Sequence, residues 1–350
     1  MIRRRLGELL LVLGSLLAVV LLAAGAELAV RVFSSVDLVG NSRNLFVAGA
    51  FGKSHGNAPN VEAISFGQTI YTDEHGFRIP KRGVRDDAGK REAILILGDS
   101  VAFGPAVDEE QTIAGLLRAR FPAHRIYNSS VIGYSTPDYR NVVDAFVPRH
   151  PEVSAVALVY CLNDVSATSA RNIERYVSDE ARGGGASTLT EMLRSIAWIS
   201  DANDYLRSRS KLYLFVRHHL LGTQTRDWQE ALRLYSEDRT ADVEQAASDI
   251  AAIAALLKSR GIPLVVVIAP FEYQLRNPED PESQVPQQKL AGQLARAGVD
   301  PIDPRPAFDP SHASSDYYLA YDAMHFSAAG HRVIADVIAE ALRAPRATAK

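Results

Sequence analysis

The sequence predicts a three-layer α/β/α domain with a doubly wound parallel sheet, preceded by one membrane-spanning helix. Three apolar runs rich in branched residues are typical of strands buried on both faces: 93–97, 153–160 and 263–269. Apolar residues at helical spacing lie between these runs: 109–121, 137–147 and 242–257. Strands and helices that alternate in this way form a parallel sheet with helices on both faces.

Shorter elements complete this alternation. The sequence predicts short strands at 125–128 and 299–302, a helix at 287–297, and a closing helix at 328–342 that begins after Ser327. Ligands of such sheets bind beyond the carboxyl ends of the strands. We therefore expect the functional residues to follow the strands directly.

The composition is that of a folded protein with no surplus of positive charge. Hydrophobic residues make up 47% of the 350 positions and charged residues 23%, which supplies enough apolar material for a core. The net charge of −3 argues against nucleic acid as a partner. The single cysteine, Cys161, excludes an internal disulfide and a cysteine-rich zinc site. No phosphate-binding glycine motif or His-Glu-x-x-His motif occurs, so we expect neither a cofactor nor a metal.

A membrane segment opens the chain. Residues 9–26 carry no charge, and as a helix this run would rise about 27 Å, close to the thickness of a bilayer core. Arginines at 3–5 precede it, which predicts an amino terminus in the cytoplasm and a domain outside. Two interpretations stay open: a signal anchor that contacts the bilayer through residues 6–31, or a signal peptide cleaved near 24–26. The length of the run favours the anchor.

After the anchor, at 1–31, the chain divides into two parts. Residues 32–90 form a juxtamembrane segment that we expect to pack on the main domain at 91–345. The alternation of strands and helices breaks at 165–240, a span too long for a plain loop. Helical spacing at 188–200 and at 205–221 predicts a helical insertion there. This insertion is either a surface feature or a lid beside the site.

Polar residues follow the predicted strands at one edge of the sheet. Gly98-Asp99-Ser100 follows the first strong strand, where a serine hydroxyl lies over the sheet end and near the positive start of a helix. Gly133 follows the next strand and lets a backbone N–H approach an oxyanion. Asn163 follows the strand at 153–160 and offers a side-chain donor to the same oxyanion. Taken singly, each is at least as typical of a turn or cap.

Asp322 and His325 lie just before the last helix. An aspartate three residues before a histidine can hold the imidazole in one tautomer, and the imidazole can then accept a serine proton. Taken alone, this pair is also typical of a hydrogen-bonded surface histidine. Together with Ser100, Gly133 and Asn163 it supplies a nucleophile, a base, an orienting carboxylate and oxyanion donors. Acyl transfer through a serine requires that set.

The four blocks, in this order, resemble the SGNH hydrolases, also called GDSL esterases or lipases, over residues 90–343. The resemblance implies a flavodoxin-like fold of the three-layer kind. Residues 73–78, DEHGFR, also resemble the Asn-x-x-Gly-Phe-Arg segment that precedes the serine block in the membrane-tethered bacterial branch. This branch implies a single-pass protein of the bacterial cytoplasmic membrane with its catalytic domain in the periplasm.

The resemblance also implies a role for each site residue. Ser100 would be the nucleophile, His325 the general base, and Asp322 the carboxylate that orients the imidazole. The oxyanion hole would consist of the N–H of Ser100, the N–H of Gly133 and the side chain of Asn163. Asp99 would shape the turn without reacting.

The implied function is that of a serine esterase or deacylase acting on an O-acyl ester of a small molecule, a glycan or a lipid. Two alternatives stay open: an O-acyltransferase that modifies an exported polysaccharide, and a non-catalytic carbohydrate-binding module on the same fold. The family usually has glycine where this chain has Cys161, which either crowds the pocket or alters a turn. Tyr317, Tyr318 and Tyr321 precede the base, and they favour packing over stacking on a sugar ring.

Overall fold

The computed structural model describes residues 2–34, 36–52, 54–81, 92–165, 205–221 and 223–344. The helix predicted at 188–200 and the domain boundary predicted at 90/91 lie outside these residues. Within them the chain forms an amino-terminal helix, two small antiparallel sheets and one parallel sheet covered by helices.

The amino-terminal part begins with the long helix α1 (Ile2–Phe33). Its segment Leu10–Phe33 is apolar and long enough to cross a membrane, judged by length and composition. The first small sheet then pairs strands β1 (Phe46–Phe51) and β2 (Ser54–Asn57). The second has the order β3-β4-β5 and consists of β3 (Glu62–Ser65), β4 (Gln68–Thr72) and β5 (Arg78–Ile79).

The central sheet is parallel and has four strands: β6 (Glu92–Gly98), β7 (His124–Asn128), β8 (Val153–Cys161) and β9 (Leu264–Ala269). Their order across the sheet is β7-β6-β8-β9. The order turns back between β6 and β8, and doubly wound sheets bind their ligands at that point. The predicted fold class is thereby confirmed.

The strand predicted at 299–302 is wrong as a strand. Ile302 makes only a single parallel bridge to Val267, at the outer side of β9. Prolines at 301 and 304 flank this residue, and a proline has no N–H to extend a ladder. The fifth position of the sheet is therefore occupied by one residue pair only.

Helices cover the sheet on both faces. The main helices after α1 are α2 (Ser100–Phe103), α3 (Ile113–Arg120), α4 (Thr136–Phe146), α5 (Lys211–Leu221), α6 (Thr223–Leu234), α7 (Thr240–Ser259), α8 (Glu272–Arg276), α9 (Pro281–Arg296) and α10 (Ala328–Arg343). Helix α10 packs on α3 and β9, while α4, α7 and α9 pack in series. Ser327 caps α10 through its hydroxyl, as predicted.

Two helix boundaries differ from the predicted ones. Helix α3 begins at Ile113 rather than at 109, because Glu109–Gln111 forms a 3₁₀ turn and the hydroxyl of Thr112 caps the helix proper. Helix α9 begins at Pro281, six residues before the predicted start. Proline is well suited to a first helical turn, whose N–H groups have no intrahelical acceptor.

The core lies between the sheet and its helices. Leu95, Ile96, Val156 and Leu158 are fully buried, on two adjacent central strands. Because helices cover both faces, these strands are apolar at nearly every position. Burial of one such side chain contributes about 1.5–3 kcal/mol to folding.

The juxtamembrane segment shares this core through one aromatic residue. The ring of Phe77 lies 4.9 Å from that of Phe146 and 5.8 Å from that of Tyr127, measured between centroids. It also stacks on Phe51 at 6.0 Å. The turn that precedes β5 is therefore fixed against β7 and α4.

Candidate active site

The turn after β6 presents Ser100 at the carboxyl edge of the sheet. Asp99 caps α2, since its Oδ1 accepts the N–H of Val101 at 2.8 Å. Gly98 has no space for a side chain: a Cβ there would lie 2.5 Å from Cβ of Ala102. A glycine is therefore required for the sharp turn that places Ser100 at the first position of α2.

Ser100, His325 and Asp322 form a continuous chain of hydrogen bonds. Nε2 of His325 lies 2.9 Å from Oγ of Ser100, and Nδ1 lies 2.7 Å from Oδ2 of Asp322. The other carboxylate oxygen of Asp322 accepts the N–H groups of Met324 and His325, each at 2.8 Å. The aspartate is thus held from two sides and fixes the ring that faces the serine.

The charge of Asp322 prepares the imidazole to accept a proton. Burial alone would lower the pKa of His325, but the charge and hydrogen bond of Asp322 outweigh burial and raise it. Burial would likewise raise the pKa of Asp322, yet the imidazole and the two N–H donors keep it below its ordinary value. An ionised Asp322 beside a neutral imidazole leaves Nε2 free to take the hydroxyl proton of Ser100.

A short loop carries both Asp322 and His325. An antiparallel bridge between Tyr318 and Phe326 closes it, and the N–H of Leu319 donates to the carbonyl of His325 at 2.9 Å. The hydroxyl of Tyr318 donates to the carbonyl of Pro270 at 2.8 Å, which ties the loop to the end of β9. The loop that carries His325 is therefore attached to the end of the central sheet.

The three tyrosines before the base have different surroundings. Tyr317 and Tyr318 are buried, in line with the packing role that the sequence favours. Tyr321 is partly exposed and stacks on His218 of α5 with ring centroids 4.1 Å apart. Of the cluster, Tyr321 is the residue available to a ligand.

Gly133 and Asn163 lie in the loops after the strands that flank β6. Gly133 has a positive φ of 83°, which favours glycine, and its loop is tied to the serine turn by a hydrogen bond from the N–H of Val131 to the carbonyl of Gly98. Asn163 follows β8 in a 3₁₀ turn. Its buried Oδ1 has no hydrogen-bond partner in the described part of the chain. An unpaired buried amide oxygen of this kind is consistent with a ligand group that donates a hydrogen bond.

Asp99 and Asp164 are two buried carboxyl groups close to Ser100. Oδ2 of Asp164 accepts the hydroxyl of Tyr139 at 2.6 Å and the N–H of Cys161 at 2.8 Å, while its buried Oδ1 has no hydrogen-bond partner among the described residues. Burial, and then the negative charge of Asp99, raise the pKa of Asp164 well above its ordinary value. The surroundings of Asp164 therefore favour its neutral form over its ionised form. Sequence reasoning missed this pair, because Asn163-Asp164 is also an ordinary turn sequence.

Arg78 is the other residue that sequence reasoning missed. Its fully buried guanidinium donates to the carbonyls of Phe103 and Gly104, both at 2.6 Å, and to that of Val107 at 2.5 Å. These carbonyls lie at the end of the helix that Ser100 begins and in the loop after it. Burial lowers the pKa of Arg78 to about 10, so the side chain stays charged at neutral pH. The Gly-Phe-Arg motif was the only signal, and it did not show what Arg78 contacts.

A cavity of about 250 Å³ opens beside His325. It combines apolar side chains with charged ones, taken from the juxtamembrane segment, α5, α6 and the loop of the base: Val36, Asp37, Val39, Phe66, Arg207, Leu214, Arg217, His218, Asp227, Ala320, Tyr321, Asp322, Met324 and His325. Phe66 stands edge-on to the imidazole with ring centroids 5.5 Å apart. Burial and nearby carboxylates raise the pKa of Asp227 to about 6.

Within the described residues no group of three His, Cys, Asp or Glu side chains is arranged to hold a metal ion. Cys161 is buried at the end of β8, where its N–H donates to Asp164. Its side chain is not among those that line the cavity beside His325.

A doubly wound sheet with Ser100 at its carboxyl edge, connected to a histidine and an aspartate from the last loop, is the arrangement expected of a hydrolase with a serine at its site. The sequence model of the GDSL-like Lipase/Acylhydrolase family matches residues 96–333. The chain belongs to this family, as the sequence predicts, and it is an ester hydrolase of the SGNH/GDSL type. The membrane-tethered branch stays a prediction.

Several solved structures are similar to this chain at low identity. An alpha/beta hydrolase enzyme from the metagenome of Lake Arreo is 17% identical, covers 73% of this chain and 98% of its own, and has a TM-score of 0.41. A catalytic mutant of an acetylxylan esterase from Geobacillus stearothermophilus is 14% identical, covers 74% of this chain and 98% of its own, and has a TM-score of 0.40. The lipase/acylhydrolase from Enterococcus faecalis is 13% identical, covers 72% of this chain and 95% of its own, and has a TM-score of 0.40. No curated protein matches the chain significantly.

Proposed function

We propose that this protein is a serine esterase or deacylase that hydrolyses an O-acyl ester through Ser100, His325 and Asp322. The hydrogen-bond chain from the serine hydroxyl to the imidazole and on to the carboxylate, at 2.9 and 2.7 Å, carries this proposal. It supplies a nucleophile and a base already in contact, which nucleophilic catalysis by serine requires.

In the first half-reaction Oγ of Ser100 attacks the ester carbonyl carbon while Nε2 of His325 takes the hydroxyl proton. The N–H groups of Ser100 and Gly133 and the side-chain amide of Asn163 hold the oxyanion. One such donor stabilises the transition state by about 3 kcal/mol. The ester C–O bond then breaks, and His325 gives its proton to the departing alcohol.

In the second half-reaction water attacks the acyl-enzyme. His325 takes a proton from the water, the carboxylic acid leaves, and Ser100 regains its hydroxyl proton from the imidazole. Asp322 stays ionised throughout and stabilises the imidazolium that forms in each half-reaction.

The lining of the cavity supports an ester with a polar alcohol part. Asp37, Arg217 and Asp227 offer charged groups to hydroxyls, while Phe66 and Leu214 offer apolar contact to a short acyl chain. An O-acylated sugar has both properties. We propose that substrate class, together with an anchor at 1–31 that is retained, a juxtamembrane part at 32–90 and a periplasmic domain at 91–345.

The test uses the full-length protein in detergent with p-nitrophenyl acetate, butyrate and octanoate. Ser100→Ala and His325→Ala should each reduce turnover by a factor of about 10⁴ or more, while the exposed Ser259→Ala should leave it unchanged. A fluorophosphonate should label the wild type and not Ser100→Ala. Full activity of Ser100→Ala would overturn the assignment.

A further inference from the structure

Helix α5 connects the membrane-spanning helix to the pocket. The carboxylate of Glu27, near the end of α1, accepts the N–H of Lys211 at 3.0 Å, the N–H of Leu212 at 2.9 Å and the hydroxyl of Ser210 at 2.8 Å. It thereby caps the amino terminus of α5, where a negative charge is stabilised by the helix dipole.

Further contacts fix the end of α1 to the same segment. The guanidinium of Arg31 donates to the carbonyl of Arg209 at 2.6 Å. The N–H of Val39, beyond the helix, donates to the carbonyl of Arg207 at 3.0 Å. The last turns of α1 therefore belong to the folded domain, and α5 starts at the level where the apolar run of α1 ends.

The two faces of α5 differ. Leu214, Arg217 and His218 line the pocket beside His325. Val216 and Leu220 point the opposite way, at the i and i+4 positions of one stripe, with exposed fractions of 44% and 76%. Outside α1, the described chain exposes six large hydrophobic side chains, of which four lie in this segment: Tyr205, Leu206, Val216 and Leu220.

The same segment is basic, unlike the chain as a whole. Between 205 and 221 it contains four Lys and Arg residues and no Asp or Glu, whereas the net charge of the protein is −3. The guanidinium of Arg209 stands over the ring of Tyr205 at 5.0 Å. Apolar side chains together with Arg, Lys and Tyr are typical of a helix that lies in the membrane interface.

We propose that residues 205–220 dock on the surface of a phospholipid bilayer, an inference that rests on the proposed function, in which α1 is a retained anchor that crosses that bilayer. Val216 and Leu220 then lie among the acyl chains just below the headgroups, and Arg209 and Lys211 contact anionic phosphates. Because the other face of α5 lines the pocket, the site opens directly above the lipid surface. Its substrate is then an ester carried by a membrane-linked molecule rather than one free in solution.

The test measures depth in the bilayer with the full-length protein in nanodiscs of phosphatidylethanolamine and phosphatidylglycerol. Val216→Cys and Leu220→Cys are labelled with an environment-sensitive nitrobenzoxadiazole, which the buried native Cys161 does not take up. Val20→Cys in α1 is the inserted control, and the exposed Ser259→Cys is the aqueous control. We expect lipids with nitroxides near the headgroup to quench Val216 and Leu220 by more than half and to leave Ser259 unquenched.

Two results would overturn the proposal. One is a Leu220 label that iodide in the water reaches as readily as it reaches Ser259, while Val20 is quenched by lipid. The other is a Leu220 label that becomes shielded only as the protein concentration rises, which would assign the face to a second copy of the chain. Quenching needs no substrate, so its failure is distinct from an absence of esterase activity.

A second readout follows activity. The double variant Val216→Ser/Leu220→Ser should lose at least fivefold in turnover of an ester displayed on vesicles and should keep its turnover of soluble p-nitrophenyl acetate. Ile64→Ser, an exposed apolar side chain on the β3–β4 hairpin, is the matched control and should change neither. An equal loss on both substrates would indicate a damaged site and overturn the docking role.

Discussion

Two regions of the molecule meet at His325, and they are built differently. On one side the parallel sheet places Ser100, Gly133 and Asn163 in the loops after three neighbouring strands, each only a few residues beyond its strand. The other side is formed by residues 36–81 with 205–221, which we call the membrane-proximal region after the proposed anchor. It reaches the site through long-range packing. Phe66 from a hairpin tip and Leu214 from α5 both line the same cavity.

We therefore expect the sheet side to carry out the chemistry and the membrane-proximal side to recognise the substrate. The proposed reacting groups are attached to a buried sheet whose strands cannot shift without disturbing the core. The groups that shape the pocket come from a small sheet and a helix that is fixed to the end of α1. Changes on the sheet side should therefore abolish turnover, whereas changes on the membrane-proximal side should alter which ester is accepted.

The largest effect is expected on the sheet side, from Asp322→Asn. The amide neither holds the correct tautomer of His325 nor stabilises the imidazolium, so kcat should fall by roughly 10³–10⁴. Asp300→Asn, on the surface, is the matched control and should retain full activity. A loss of less than tenfold in Asp322→Asn would contradict the proposed role.

The same variant should also shift the pH dependence of kcat/KM. His325 must be neutral to act as a base, and Asp322 raises its pKa, so the acid limb of kcat/KM in the wild type should lie above 6.5. Activity is then lost as the pH falls through that raised pKa. In Asp322→Asn the raising charge is gone, and the limb of the residual activity should move to lower pH. A profile of rate against pH between 5 and 9 measures this, and an unmoved limb would mean that another group titrates.

Arg78 lies in the membrane-proximal region and contacts the end of the serine helix and the loop after it on the sheet side. Arg78→Met should therefore affect both stability and turnover. It leaves the buried carbonyls of Phe103, Gly104 and Val107 without their donor, which should cost about 3 kcal/mol or more of unfolding free energy. Because these carbonyls lie at the end of the helix of Ser100 and in the loop after it, kcat should fall as well. Arg125→Met removes a guanidinium that stands over Tyr127 at 5.0 Å, and it should keep kcat. Equal behaviour of the two variants in thermal unfolding and kinetics would reject the positioning role.

Phe66→Ala tests whether the membrane-proximal side affects recognition alone. The lost edge-on contact with the imidazole is worth about 1 kcal/mol, so kcat/KM should fall roughly fivefold. The preference among acetate, butyrate and octanoate esters should change, because the ring also lines the cavity. Ile64→Ala on the same hairpin should change neither quantity.

Asp164→Asn should have the smallest effect at neutral pH, because Asn resembles the neutral carboxyl that burial and the charge of Asp99 favour. In the wild type the raised pKa of Asp164 contributes stability at pH values below its ordinary pKa near 4, and this contribution is lost as the pH rises through the raised value. The variant should therefore lose less stability than the wild type between pH 5 and pH 9, by about 1.4 kcal/mol per unit of pKa difference. If the wild type and the variant lost the same stability between the two pH values, the pKa of Asp164 would not be raised in the folded protein.

Sequence reasoning located the sheet side well, for a physical reason. A strand buried on both faces is apolar at nearly every position, so its end is visible as the first polar residue, as at Asp99 and Asn163. Sequence reasoning failed where the apolar pattern of a strand is weaker. The strand at 299–302 looked apolar enough, but its prolines reduce it to a single bridge at Ile302.

The sequence by itself determined the family, the fold class, and three residues that the structure joins by hydrogen bonds, Ser100, His325 and Asp322. It determined them because strand periodicity and turn chemistry are local properties of the chain. Gly133 and Asn163 lie in loops at the same sheet edge, and their role as oxyanion donors stays a prediction. Only the tertiary structure decided that Arg78 contacts the carbonyls at the end of the serine helix, that Asp99 and Asp164 lie close enough to interact electrostatically, and that α5 joins α1 to the pocket. Those contacts join residues distant in the chain, and their partners are backbone atoms or a second carboxyl group, which leave no pattern in the sequence.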